Sequence, residues 1–107
     1  MRLYIITHME AYMIVSPHDV TAPKAHWLLI DVLFSNDEWS LAIGKWDGEP
    51  RIACRWNGSK EAPKGNPCSH GSPTWFMLPN DFVDLLAPLV PHGKRPLLGA
   101  LMESDAA

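Results

Sequence analysis

With two cysteines among 107 residues, this chain cannot form the dense disulfide framework of a small secreted scaffold. No run reaches the ~18 apolar residues that a membrane-spanning helix requires. Diagnostic chemistry is also missing: there is no C-x2-C or H-x3–5-H pair, no Gly-rich phosphate loop and no recognisable nucleophile motif. No cofactor and no bound metal are therefore expected. Positive charge is in deficit, nine Lys+Arg against twelve Asp+Glu for a formal charge of −3. That balance disfavours bulk binding to nucleic acid or to an acidic membrane surface, although a local basic face remains compatible with it. The first fifteen residues are apolar, but His8 and Glu10 interrupt them and no charged n-region leads to a clean small-residue cleavage site. A signal peptide is not expected. The chain has no internal repeat and no low-complexity segment.

What is present reads as one globular domain, 1–107. Hydrophobic residues make up 47% and charged residues 20%, with five tryptophans to supply large buried surfaces. A chain of this size buries roughly two-thirds of its unfolded surface, enough to fold without a staple. The clearest pattern lies between Trp39 and Trp56. With Asp47-Gly48 at the tip of a two-residue turn, residues 39–46 pair with 56–49. One face collects Trp39/Trp56, Leu41/Cys54 and Ile43/Ile52. The other carries Ser40/Arg55, Ala42/Ala53 and Gly44/Arg51. Agreement of both arms with period 2 is strong support for this register. It places Cys54 in the core as a reduced thiol, which favours the cytoplasm.

Around this hairpin, Leu3–Ile6 and Tyr12–Val15 read as short strands, and Pro17, Asp19 and Pro23 mark a loop. His26–Phe34 is a strand with apolar residues on both faces, Leu28/Ile30/Val32/Phe34 and Trp27/Leu29/Asp31/Leu33. It is expected inside the sheet. Ser59–Pro73 contains Pro63, Gly65, Pro67, Gly71 and Pro73 without apolar periodicity, a long loop with a fixed path. Thr74–Leu78 is a further strand. Asn80 or Asp81 then caps a helix with Phe82, Leu85, Leu86 and Leu89 at helical spacing, limited by Pro88. Pro96–Met102 is expected to form a last helical turn, and 103–107 to fray. The fold class that follows is α+β. It consists of an antiparallel sheet (meander 26–56 plus strands near 3–6, 12–15 and 74–78) packed by a C-terminal helix starting near 81. Residues 1–25 supply N-terminal strands and a loop, and 26–90 the core.

The segments Trp46-Asp47-Gly48-Glu49-Pro50, Arg55-Trp56-Asn57-Gly58, Gly65-Asn66-Pro67 with Ser69 and Gly71, Pro73-Thr74-Trp75-Phe76 and Leu78-Pro79 form a recurring unit. In them, residues 26–90 resemble small bacterial proteins carried on mobile DNA, the integron gene-cassette and phage-borne open reading frames. That group has no assigned reaction, so the resemblance implies no catalytic residue. It implies a cytoplasmic accessory protein, often self-associating.

Candidate binding residues come from the basic face and the long loop. Arg51 and Arg55 lie four residues apart with small side chains between and opposite them, a trough in which two guanidinium forks suit a carboxylate or phosphate. The alternative is that they pair with Glu49, Asp31 or Glu38, or cover a solvated face with their stems. The loop adds Lys64, Asn66, Ser69 and His70, with Lys60 and Thr74 nearby, able to close over an anion or simply to pack on Trp56 and Trp75. Cys68-x-His70 lacks the spacing of a zinc site or a thiolate–imidazole dyad. Trp39 and Trp56 are read as a core pair. Trp46, at the hairpin tip, is read as an interface anchor.

Together these features describe a binding module rather than an enzyme, with Trp46, Arg51, Arg55 and the loop as its surface. Homodimerisation is expected through a sheet edge or the apolar N-terminal strands, alongside a protein partner. The alternatives are a small anionic ligand or substrate held by Arg51 and Arg55, with no evident general base, and a nucleic-acid-associated accessory role.

Overall fold

The computed structural model describes residues 13–106. Its frame is the turn at Asp47-Gly48, with φ of 50° and 85°. This left-handed pair matches the twist of two antiparallel strands joined by two residues, and aspartate followed by glycine tolerates it. Strands β2 (Trp39–Trp46) and β3 (Glu49–Trp56) pair from Trp39↔Trp56 to Trp46↔Glu49, the register read from the sequence. β1 (Trp27–Ser35) lies on the far side of β2. Beyond the minute strands β4 (Cys68–Ser69) and β5 (Ser72–Pro73), β6 (Phe76–Leu78) pairs with β3. The result is a four-stranded antiparallel sheet in the order β1-β2-β3-β6, with β4 and β5 as a separate hairpin.

Behind the sheet, a 3-10 turn at Asn80–Phe82 leads into α1 (Val83–Leu86) and a second 3-10 turn at Ala87–Leu89. After His92–Lys94 the chain enters α2 (Arg95–Ala106). The architecture is α+β, with helical structure beginning near residue 80 as expected. α2 is longer than the single turn anticipated. Its proline is in the first turn, where the missing N–H costs nothing, and Leu97, Leu98 and Leu101 pack on the sheet. Among the described residues no helix is long and apolar enough to cross a membrane.

Two local expectations change, and a third, the strand near 3–6, lies outside the described residues. In the segment near 12–15, the described residues 13–15 belong to no strand, and the Val15 N–H donates to the Pro63 carbonyl at 3.0 Å. Among the described residues β1 is an edge strand rather than an interior one. Its apolar residues are covered unevenly: Trp27, Val32 and Leu33 are buried, whereas Leu28 (59%) and Ile30 (36%) stay exposed. Register shifts between Leu29 and Asp31 and between Val32 and Phe34 also break the simple alternation. Val32 thereby joins Trp27 on one face, while Leu33 and Phe34 both serve the other.

Two cores result, one on each side of the sheet. The helical side holds Leu33, Leu41, Ile43, Ile52, Val90 and Leu98, with α1 and α2 residues packed over them. The opposite side holds Val20, Trp27, Val32, Ala42, Ala53 and Trp75. Here the row of small residues makes sense, because short side chains leave room for indole rings. Gly44 is the tightest point: a Cβ there would lie 2.5 Å from the Trp27 ring and 2.3 Å from the Leu28 carbonyl oxygen. Both distances are below contact, and the second obstacle is backbone that cannot rotate away. Gly44→Ala should therefore lower stability by about 1–3 kcal/mol, the usual cost of overpacking. Urea unfolding checks this, and an unchanged midpoint would contradict it.

Candidate functional site

The structure separates the residues singled out from the sequence. Arg55, at 2% exposure, is sealed beneath the loop that follows β3. Its Nε donates to the Thr74 carbonyl at 3.2 Å and its Nη2 to the Lys64 carbonyl at 2.6 Å, while Nη1 is buried without a partner. Burial pushes the Arg55 pKa down, offset by attraction to the Cys68 sulfur. Arg51 is half-buried and turns its Nη1 back to the Pro50 carbonyl at 2.8 Å. Between the two, Ala42 and Ala53 are fully buried with Trp27 and Trp75, so no open trough connects the guanidinium groups. The space expected for an anion is filled by indole rings and loop backbone.

Trp46 is half-buried at the tip of the hairpin. His26 stacks on it at 5.2 Å between ring centroids and bonds Asp47 through Nδ1 at 2.8 Å. Lys64 directs its Nζ to the Gly71 carbonyl at 2.7 Å. Ser69 and His70 are exposed on the β4–β5 hairpin, where His70 (φ 51°) precedes Gly71 (φ 81°) in a second tight turn. Asn66 exchanges both backbone hydrogen bonds with Trp56, at 2.7 and 3.1 Å. The loop therefore follows a fixed path, held further by Asn57, which accepts from Ser40 Oγ at 2.7 Å and donates its Nδ2 to Asn36 O at 2.8 Å.

A concavity lies on the other side of the sheet. Along the helical face, burial is complete at Ile43 and Ile52 and partial at Cys54 and Trp39. At Trp56 the side chain is 60% exposed. α1 and α2 pack over the end nearer the turn and leave the Trp39/Trp56 end uncovered. Phe76, directly across from Cys54, is 59% exposed there. Trp39, Cys54, Trp56, Pro67 and Phe76, with Asn66 and Arg55 contributing, line a pocket of about 320 Å³. By strand alternation the Arg55 side chain leaves β3 on the opposite face from Trp56. Trp39 is braced by Phe34 at 5.2 Å between centroids. Cys54 is a free thiol whose pKa burial pushes up, so it is held in the weakly nucleophilic protonated form.

Of the sequence candidates, only Asn66 lies on this pocket beside Arg55. The hairpin pattern places Trp39, Cys54 and Trp56 on the oily face and reads them as core, while Pro67 falls in the long loop and Phe76 in the strand near 74–78. The available signal was the length of that face: its apolar rows extend farther than one short helix covers. Among the described residues no three His, Cys, Asp or Glu side chains come together to hold a metal ion. Compared with protein-family models, curated proteins and solved structures, the chain matches none.

Arg55→Ala should cost about 2–4 kcal/mol, because two charge-assisted hydrogen bonds and a packed stem disappear while both carbonyls stay enclosed. Arg55→Lys should not restore stability, since one ammonium cannot reproduce the guanidinium fork. Chemical denaturation with limited proteolysis at Lys60 and Lys64 measures this. The expected result is a loop cut faster in both variants, while Arg51→Ala stays within about 0.5 kcal/mol of wild type.

Proposed function

We propose that this chain is a non-catalytic binding module whose recognition surface is the aromatic pocket at the Trp39/Trp56 end of the sheet. One observation carries the reading: Trp56 and Phe76 remain about 60% exposed while forming two walls of a concave, apolar site. Large aromatic side chains held open in this way supply contact area at little cost in conformational freedom. Nothing comparable supports acid–base or nucleophilic catalysis at the pocket, where the thiol is held protonated. Anion binding by Arg51 and Arg55 is the weaker alternative, because Arg55 already engages two carbonyls in an enclosed position. A nucleic-acid role is weaker still, given the net charge of −3.

A second reading, self-association, rests on a separate feature. Phe82, Leu85 and Leu89 lie on the outward side of the helical segment and are exposed, Leu85 at 74%. Val83, Leu86, Ala87 and Val90 from the same segment fill the core. The outward side also carries exposed Asp81 and Asp84, and three large apolar side chains left open between such charges form a surface that a partner can cover. A second copy is the partner we infer, in line with the resemblance to mobile-element accessory proteins and with a cytoplasmic setting in which Cys54 and Cys68 stay reduced.

Two experiments test these readings. In a small-fragment screen by NMR, the Trp39 and Trp56 indole resonances should shift while those of buried Trp27 and Trp75 hold still. Loss of all such shifts in Trp56→Ala supports the pocket. A screen without responders, or responses that persist unchanged in the variant, overturns it. Light scattering should show a dimer that Leu85→Glu converts to a monomer, and a wild-type monomer at high concentration removes self-association.

A further inference from the structure

We propose that the aromatic pocket takes a small alkylammonium cation, an inference that rests on reading this pocket as the binding surface. Its walls present three ring systems, Trp39, Trp56 and Phe76. Aromatic faces are electronegative and attract cations, tryptophan most strongly. Carboxylates of the matching sign belong to the turn that leads into Trp39. Asp37 and Glu38 immediately precede Trp39, both are exposed, and neither is in an ion pair among the described residues.

Their turn is fixed in place. Asn36 Oδ1 accepts from the backbone N–H groups of Glu38 and Trp39 at 2.8 and 2.9 Å, and the Glu38 carbonyl accepts from Asn57 N–H at 2.8 Å. That last bond ties the acidic turn to the residue after Trp56, so carboxylates and indoles share one end of the sheet. Two neighbouring cations are directed elsewhere. Arg55 leaves on the opposite face to reach Thr74 and Lys64 carbonyls, and Lys64 Nζ bonds Gly71 O.

Size and lining narrow the ligand further. A volume of about 320 Å³ is at the lower limit of small-molecule sites, which span ~300–1,000 Å³, so one compact head group fits better than a polypeptide. Pro67 and Cys54 offer apolar contact but no anionic partner at the floor. A bare ammonium would lose hydration there without replacement, whereas methyl groups around the nitrogen spread the charge and pack against those walls.

The test compares choline with its uncharged isostere 3,3-dimethylbutan-1-ol and with benzoate, read by tryptophan fluorescence and by the Trp39 and Trp56 indole resonances. Choline should saturate the signal, with the neutral isostere about fivefold weaker or worse. Trp56→Ala, checked for folding by circular dichroism, should abolish the response. Asp37→Asn with Glu38→Gln should weaken choline severalfold at low salt and less at high salt. Equal binding of the neutral isostere, or tighter binding of benzoate, overturns the cation inference and leaves the pocket as a binding surface. So does a failure of all three ligands when fragments from the NMR screen still bind. If those fragments fail as well, the reading of the pocket falls with it.

Discussion

The contact between indole rings and a row of very short side chains organises everything else in this molecule. Gly44, Ala42 and Ala53 present almost no relief on one face of the β2–β3 hairpin, so Trp27 and Trp75 close directly onto the sheet. Trp75 then reaches across with its Nε1–H to the Val20 carbonyl at 2.7 Å, binding the segment ahead of β1 to the segment ahead of β6. Both segments are thereby held on one side of the sheet, and the helices pack on the other. The helical layer must then cover the remaining face with the few residues left to it.

Arg55 occupies the border of that arrangement. A guanidinium is weakly hydrated compared with an ammonium and carries several directed donors, so it can be buried where a loop needs two carbonyls tethered. Thr74 and Lys64 bracket the β4–β5 excursion, and fastening both to one side chain closes the loop at its base. A residue whose charge suggested ligand recognition thus serves the architecture. The aromatic residues on the reverse face, which resembled core, stand open to solvent.

The same distinction explains how much could be read from the chain. The hairpin register was legible to the individual pair because a two-residue turn and period-2 side chains over-determine it: Asp47-Gly48 fixes the phase, and Trp39/Trp56 through Ile43/Ile52 confirm it. The α+β class and the helical start near residue 80 followed from equally local signals. What the residues did not encode was lateral order and coverage. β1 carries apolar residues on both faces, which reads as an interior strand but is equally consistent with a rim strand that leaves Leu28 and Ile30 exposed. Its two bulges have no sequence mark. The pocket was hidden for a related reason, since whether Trp56 is core or surface depends on how far α1 and α2 reach along the sheet. Arg55 could be placed on the correct face but not at the correct depth, because its partners are main-chain carbonyls that any residue could have supplied.

β1 lies at the rim of the sheet, and Lys94 reaches over it, donating its Nζ to the Val32 carbonyl at 2.7 Å with Asp31 Oδ1 at 3.4 Å. An ammonium seated on that carbonyl competes with an incoming strand for it, and the register shifts beside it interrupt the straight ladder such a strand would extend. Among the described residues this border is in this way made a poorer template for strand addition, which favours association through side-chain surfaces over edge-to-edge growth.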